Sequence, residues 1–282
     1  MQFASDESFS PIIEAERKQY EYLCRNNAQL TPIYTDAKDG LDQLMSGKVH
    51  LYFTSSDLNE NQRAYIKQEL DIEPTIYRLG YDGVTFIVNK ENKDTCISVR
   101  DVKRILSGEA TNWNQIVKDS KRGDIKVVFD NPRSATVQFC VDSILGGKPM
   151  GNNVVATKNS QGVIDYVEKH PNAIGVIGSN WVMDHRDTTH LTFKMNIQVM
   201  SVSLIDEATP SNSYKPFQYN LLEGSYPFVR TIYAILAGRG YKLSLGFVEY
   251  CAGENGQKIV MQAGLLPYRA DLNIKEVNAK RQ

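Results

Sequence analysis

The chain has 282 residues, a formal net charge of −1 at pH 7, and 41% hydrophobic and 23% charged residues. This length suits one large or two medium domains, and the composition is that of an ordinary globular protein. No basic run carries interleaved aromatic residues, which argues against nucleic acid as a partner, and the apolar runs are too short to span a membrane. The four cysteines are far apart and lack a CxxC motif, so no zinc site is predicted. Pairing of Cys24 with Cys96 is left open.

The first part of the chain alternates short apolar runs with amphipathic segments. Strands are predicted at residues 3–4, 33–34 and 49–53, and each is followed by a helical pattern. This βαβ order predicts a parallel sheet with right-handed crossovers.

Two long β-type runs, at residues 81–89 and 226–236, stand apart from this pattern. Between them the sequence predicts a helix at 98–106, a strand and helix at 125–145, and a strand at 173–177. Two amphipathic helices are predicted near the C-terminus.

The stretch from 127 to 147 predicts a buried strand, a tight loop and a helix. Asn131-Pro132 interrupts the chain, and Ser134 stands where the N-cap of the helix is expected. Free N–H groups, two hydroxyls and Arg133 would then meet at the start of the helix, an arrangement that favours an anion. The alternative is an ordinary capped helix that binds nothing.

Hydroxyl side chains follow several of the predicted strands. Ser8, Thr54, Ser55, Ser134 and Thr136 all lie where a strand gives way to a loop and a helix. Ligands of open α/β sheets bind at the carboxyl ends of the strands. Three such loops in one chain therefore favour a shared binding site over isolated turn residues.

The sequence shows no catalytic constellation. It lacks the G-x-S-x-G, P-loop, G-x-G-x-x-G and HExxH motifs, and its four histidines are scattered. We therefore expect a binding protein that is not an enzyme and that carries no cofactor.

Six segments, in the same order, resemble the substrate-binding proteins of phosphate ABC transporters. The most specific is 99–113, with its Leu-Ser-Gly and Thr-Asn-Trp motifs. The resemblance covers nearly the whole chain, and its segments are 4–9, 49–58, 82–89, 99–113, 226–233 and 253–267.

The resemblance implies a type II periplasmic binding protein fold of the α/β class. Two α/β lobes would be joined by two crossing strands, with the ligand in the cleft between them. Residues 1–84 and 230–282 would form the first lobe, and residues 85–229 the second.

One loop departs from the family pattern. The family's third loop usually reads Arg-x-x-Gly-Ser-Gly-Thr, and this chain has Asp130 at the arginine position and Arg133 three residues later. Asp57 or Asp130 would accept a hydrogen bond from a protonated anion, because a carboxylate can only accept. The ligand residues that the resemblance implies are Ser8, Phe9, Thr54, Ser55, Asp57, Asp130, Arg133, Ser134, Ala135 and Thr136.

The implied function is capture of inorganic phosphate, as hydrogen phosphate or a related oxyanion, and its delivery to an ABC permease in the membrane. The protein would be a monomer, periplasmic or lipid-anchored outside the cytoplasmic membrane. The alternatives are another oxyanion or small polar acid as ligand, an extracytoplasmic sensing module without transport, and an enzyme on the same scaffold.

Overall fold

A computed structural model describes residues 1–25, 27–184, 187, 192–238 and 242–269. Its helices are α1 (Ser10–Leu23), α2 (Ala37–Met45), α3 (Glu60–Leu70), α4 (Val99–Ser107), α5 (Ala135–Phe139), α6 (Ser160–Lys169), α7 (Ser179–Val182), α8 (Gln218–Leu222), α9 (Lys242–Ala252) and α10 (Glu254–Gln262). Its strands are β1 (Gln2–Asp6), β2 (Thr31–Thr35), β3 (Leu51–Thr54), β4 (Thr75–Asn89), β5 (Cys96–Ser98), β6 (Lys126–Phe129), β7 (Val154–Ala156), β8 (Ala173–Gly178), β9 (Ile197–Val199), β10 (Ser201–Ser203), β11 (Ser213–Tyr214), β12 (Val229–Leu236) and β13 (Leu266–Pro267).

The main sheet runs through both halves of the molecule. Its described strands follow the order β2-β1-β3-β12-β4-β8-β6-β7, and β9 and β13 pair with β4. Strand β1 is parallel to β2 and β3, and β6 is parallel to β7 and β8. The group around β1 is the parallel sheet that the sequence pattern predicts, and the two groups together are the two α/β lobes that the resemblance implies.

Strands β4 and β12 join the two groups. They are antiparallel to each other, with Arg230 directly opposite Asp82. Strand β12 also pairs with β3, and β4 also pairs with β8. Strand β4 begins at Thr75, six residues before the predicted run. The exact lobe boundaries at 84 and 230 stay a prediction, and residues 239–241 and 270–282 of the first lobe lie outside the described residues.

Apolar side chains form separate buried clusters in the two lobes. Phe3, Phe53 and Phe247 lie in a cluster of the first lobe, whereas Phe86 and Trp113 lie in one of the second. The four cysteines are free, so Cys24 and Cys96 are not paired. None of the helices in the described ranges is long and apolar enough to cross a membrane.

The helix after residue 134 differs from its prediction. Regular helix α5 ends at Phe139, and a π-helical turn follows from Cys140 to Ile144. In that turn the Leu145 N–H donates to the Cys140 carbonyl, five residues earlier, at 2.9 Å. An α-helix bonds residues four apart, so this turn holds one more residue than the periodic pattern assumes. The widened turn keeps Cys140, Ile144 and Leu145 all buried.

Candidate anion-binding site

The two lobes meet along a buried polar contact. The end of β1 and the residues after it supply the first-lobe side of this contact, and residues after β6, β7 and β8 supply the second. The Ser8 carbonyl accepts from Asn180 Nδ2 at 3.1 Å and from the Trp181 indole N–H at 3.0 Å. Glu7 accepts from the Ser160 N–H at 3.1 Å and from its hydroxyl at 2.7 Å. These bonds hold the lobes against each other.

The carboxylate of Asp6 lies at the centre of the contact and is fully buried. Its Oδ1 accepts from both the backbone N–H and the hydroxyl of Ser8. Its Oδ2 accepts from the Ala135 N–H of the other lobe at 3.1 Å. Burial raises the pKa of Asp6, while the Ser8 hydroxyl and the charge of Arg230 act to lower it. Amide and hydroxyl donors from both lobes thus converge on one anionic group.

The cation of the site is Arg230, on crossing strand β12. Its Nε and Nη2 donate to Asp82 Oδ2 at 3.0 and 2.8 Å, and its Nη1 donates to Thr136 Oγ1 at 3.2 Å. The Phe9 ring covers the guanidinium, with 4.5 Å from Cζ to the ring centroid. Ser179 donates from its hydroxyl to Asp82 Oδ1 at 2.8 Å. Arg230 and Asp82 are both almost fully shielded from solvent.

Asp130 contributes a third buried carboxyl to this cluster, after Asp6 and Asp82. Its Oδ1 accepts from the Ser134 hydroxyl at 2.7 Å, and Ser134 Oγ in turn accepts from the Val137 N–H at 3.2 Å. Ser134 is therefore the helix N-cap, as predicted. Burial raises the pKa of Asp130 to about 7, and the charges of Asp6 and Glu7 add to the shift. Near neutral pH this group can both accept and donate a hydrogen bond.

Asn180 leaves one polar atom without a partner in this buried contact. Its side chain is fully buried, and its Nδ2 is bonded to Ser8. Its Oδ1 has no hydrogen-bond partner among the described residues. A buried acceptor of this kind favours a ligand that can donate a hydrogen bond.

The remaining predicted residues lie at the edge of the cleft. Thr54, Asp57 and Arg133 line a cavity of about 560 Å³ between the lobes, together with Lys38 and Tyr52. Tyr52 is paired with Ala4 of β1 and Arg133 directly precedes Ser134, so this cavity adjoins the buried cluster.

Arg133 and Asp57 are held by partners at that edge. Arg133 pairs with Asp36 at 2.6 Å, and 62% of its side chain is exposed. Asp57 pairs with Arg63 at 2.6 Å and is also exposed. Ser55 is half-buried, and Thr54 Oγ1 accepts from the Ser56 N–H at 3.3 Å.

The structure thus brings together one part of the predicted set and separates another. The buried cluster contains Ser8, Phe9, Asp130, Ser134, Ala135 and Thr136, whereas the cavity edge contains Thr54, Asp57 and Arg133. Arg133 does not supply the buried positive charge, because Arg230 does so from the crossing strand. The sequence reasoning missed Asp6, Asp82, Ser179, Asn180 and Arg230. Asp82 and Arg230 carried a signal, since each is a charge in or beside a long apolar run.

No group of three or more histidine, cysteine or acidic side chains in the described part of the chain could hold a metal ion. The chemistry of the cluster is hydrogen bonding and charge. Its donors and the guanidinium of Arg230 suit an anion, and its carboxyls suit an anion that carries a proton.

Two α/β lobes joined by crossing strands, with a buried polar cluster between them, define a two-lobed ligand-binding protein. A family model described as a PBP superfamily domain matches residues 2–255. The chain belongs to this superfamily.

Its relatives include phosphate-binding proteins. PstS of Staphylococcus haemolyticus is 21% identical over 254 residues, which are 88% of this chain and 75% of that protein. PstS of Borreliella burgdorferi is 22% identical over 267 residues, which are 91% of this chain and 86% of that protein. The resemblance seen in the sequence is confirmed.

A solved structure shares the fold. It is described as a phosphate ABC transporter substrate-binding protein with bound phosphate, from Clostridium perfringens. It matches with a TM-score of 0.77 at 19% identity and covers 95% of this chain and 98% of that one. At this identity the match establishes the periplasmic binding protein fold.

Proposed function

We propose that this protein is an extracytoplasmic substrate-binding protein that captures inorganic phosphate between its lobes and delivers it to an ABC permease. The observation that carries the proposal is the convergence of Ser8 and Ala135 donors, one from each lobe, on a single buried anionic group. The relatives are named phosphate-binding proteins, and this supports phosphate as the ligand. Periplasmic or lipid-anchored placement, a monomeric state and the permease partner belong to the same proposal.

In this proposal the ligand enters through the cavity lined by Thr54, Asp57 and Arg133 and reaches the cluster around Ser8. Ser8 and Ala135 donate to its oxygens. Arg230 supplies the positive charge that the family's third loop no longer provides. Asp130 accepts a hydrogen bond from the protonated oxygen of hydrogen phosphate, because Asp57 is held at the surface by Arg63.

Calorimetric titration with inorganic phosphate tests this proposal. We expect saturable binding of one phosphate per chain. Ser8→Ala should weaken it about tenfold, because a lost donor in a buried site costs about 1–3 kcal/mol. Ser203→Ala is the matched control, since Ser203 is equally buried but lies in β10, in the separate three-stranded sheet. Absence of phosphate binding, with another anion bound instead, would refute phosphate as the ligand.

A second candidate keeps the fold and changes the ligand to another oxyanion or a small polar acid. The observation that favours it is the number of buried carboxyls in the cluster: Asp82 pairs with Arg230, Asp6 is within reach of the charge of Arg230, and Asp130 is within reach of the charge of Asp6. Titration with sulfate and small carboxylic acids beside phosphate separates the two candidates.

A further inference from the structure

Asp6 uses the donors that the proposed function gives to the ligand. The Ser8 N–H, the Ser8 hydroxyl and the Ala135 N–H all point to its two oxygens. Each of these groups carries one hydrogen, so it can make only one strong bond at a time. The carboxylate of Asp6 and an oxygen of a bound anion therefore need the same hydrogens.

The positive charge near Asp6 is also committed. Arg230 gives two of its hydrogen bonds to Asp82 and a third to Thr136. An incoming anion would thus meet a buried carboxylate at the donors and an arginine that is already paired. Like charges in a buried site repel strongly, because water does not screen them.

The Asp6 contact is also what bridges the lobes at this point. Asp6 ends β1 in the first lobe, and Ala135 begins α5 in the second. A carboxylate that joins the two lobes through these donors holds them as a bound anion would. Unlike a bound anion, this carboxylate is part of the chain and cannot dissociate.

We propose that Asp6 is a specificity-determining residue that acts as an internal competitor, a carboxylate of the chain that occupies the anion's donors and must be displaced before the anion binds. The inference rests on the proposed function. It predicts that the wild-type protein binds phosphate more weakly than its donor set allows, and that removal of the carboxylate strengthens binding.

The test compares phosphate titrations of wild type, Asp6→Ala and Glu7→Gln. Glu7 is the matched control, because it is the adjacent acid and also bridges the lobes, but through Ser160. We expect Asp6→Ala to bind phosphate at least about tenfold more tightly than wild type, the effect of freeing buried donors. Glu7→Gln should change the affinity by less than about threefold, since its donors are elsewhere.

Formate gives a second readout at the same position. In Asp6→Ala a free formate ion can take the place of the missing carboxylate, so formate should raise the melting temperature of the variant and compete with phosphate. Wild type and Glu7→Gln should show neither effect.

Asp6→Asn keeps the shape of the side chain without its charge, and it replaces the alanine variant if that one does not fold. It should also bind phosphate more tightly than wild type.

The failures of the two proposals are distinguishable. If wild type binds phosphate and both Asp6 variants bind it equally or less tightly, Asp6 supports the site and the competitor is refuted, while the proposed function stands. If neither wild type nor the variants bind phosphate, both proposals fail.

Discussion

Arg230 and Asp82 face each other on the two crossing strands, and Arg230 places two hydrogen bonds on a single carboxylate oxygen at 3.0 and 2.8 Å. Both side chains are almost completely buried. The pair lies where the strands pass from one lobe to the other. It therefore places the positive charge of the buried cluster on the strands that join the lobes.

The first prediction concerns this pair. Arg230→Met should lower the free energy of unfolding by about 3–5 kcal/mol, because it leaves the charge of Asp82 buried without a partner. Adding Asp82→Asn should recover most of the loss. Urea unfolding of wild type, both single variants and the double variant measures the coupling.

Arg63→Met with Asp57→Asn is the control for this cycle. That ion pair is exposed, so its coupling should stay below about 1 kcal/mol. Equal couplings for the buried and the exposed pair would show that burial does not govern the Arg230 contact.

The second prediction separates the two arginines. Arg133→Ala should weaken phosphate binding by less than about threefold, because its side chain is largely exposed and already paired with Asp36. Arg230→Lys should weaken binding more than about tenfold, since lysine lacks the planar fork that reaches both Asp82 and Thr136. Calorimetric titration of both variants decides the matter. A larger effect at Arg133 would show that the positive charge that binds the ligand lies at the cavity edge and not at Arg230.

The third prediction concerns the pH dependence of selectivity. The pKa of Asp130 is raised to about 7, so the group is mostly protonated at pH 6 and mostly a carboxylate at pH 8. The carboxylate accepts a hydrogen bond from phosphate, which retains a proton, and repels sulfate, which has none. We expect the preference for phosphate over sulfate to grow by about tenfold from pH 6 to pH 8.

Asp130→Asn should reduce this dependence, because an amide does not change its charge between pH 6 and pH 8. Titrations with phosphate and sulfate at both pH values measure it. A variant whose preference changes with pH as much as that of wild type would exclude Asp130 as the selecting group.

The fourth prediction concerns stability away from the site. Glu16 of α1 is 1% exposed, and neither carboxyl oxygen has a hydrogen-bond partner among the described residues. Burial raises the pKa of Glu16 to about 9, so the folded protein holds a proton that the unfolded chain releases above about pH 4.5. Stability is therefore lost as pH rises from about 4.5 towards 9, by about 1 kcal/mol per pH unit.

Glu16→Gln should stabilise the protein at pH 8 and change little at pH 5. Urea unfolding at both pH values gives the free energy of unfolding of wild type and variant. In the difference between the two proteins at one pH, the contributions of the other titrating groups cancel. The control is Glu69→Gln, at an exposed position. An effect of Glu16→Gln that is the same at both pH values would contradict the buried, protonated carboxyl.

Local patterns in the sequence predicted much of the fold. The N-cap at Ser134 and the parallel group around β1 follow from periodicity and capping, which depend on neighbouring residues. The π-helical turn at Cys140 was not predicted, because the apolar positions fit a regular helix almost equally well.

The site was predicted only in part, because its geometry depends on distant pairs. Ser8, Ser134 and Thr136 could be predicted, because each is a hydroxyl residue that follows a predicted strand. The contact of Arg230 with Asp82 depends on the register of two strands far apart in sequence, which no local pattern fixes. Asp6 is absent from the predicted ligand residues, since nothing nearby in the sequence shows that Ala135 of the other lobe would meet it.

The most direct test of the proposed site is a crystal structure of the protein grown with inorganic phosphate. We expect a phosphate within hydrogen-bond distance of the Ser8 and Ala135 N–H groups, beside Arg230, with the carboxylate of Asp6 turned away from both donors. A phosphate bound elsewhere, with Asp6 still bonded to Ser8 and Ala135, would contradict it.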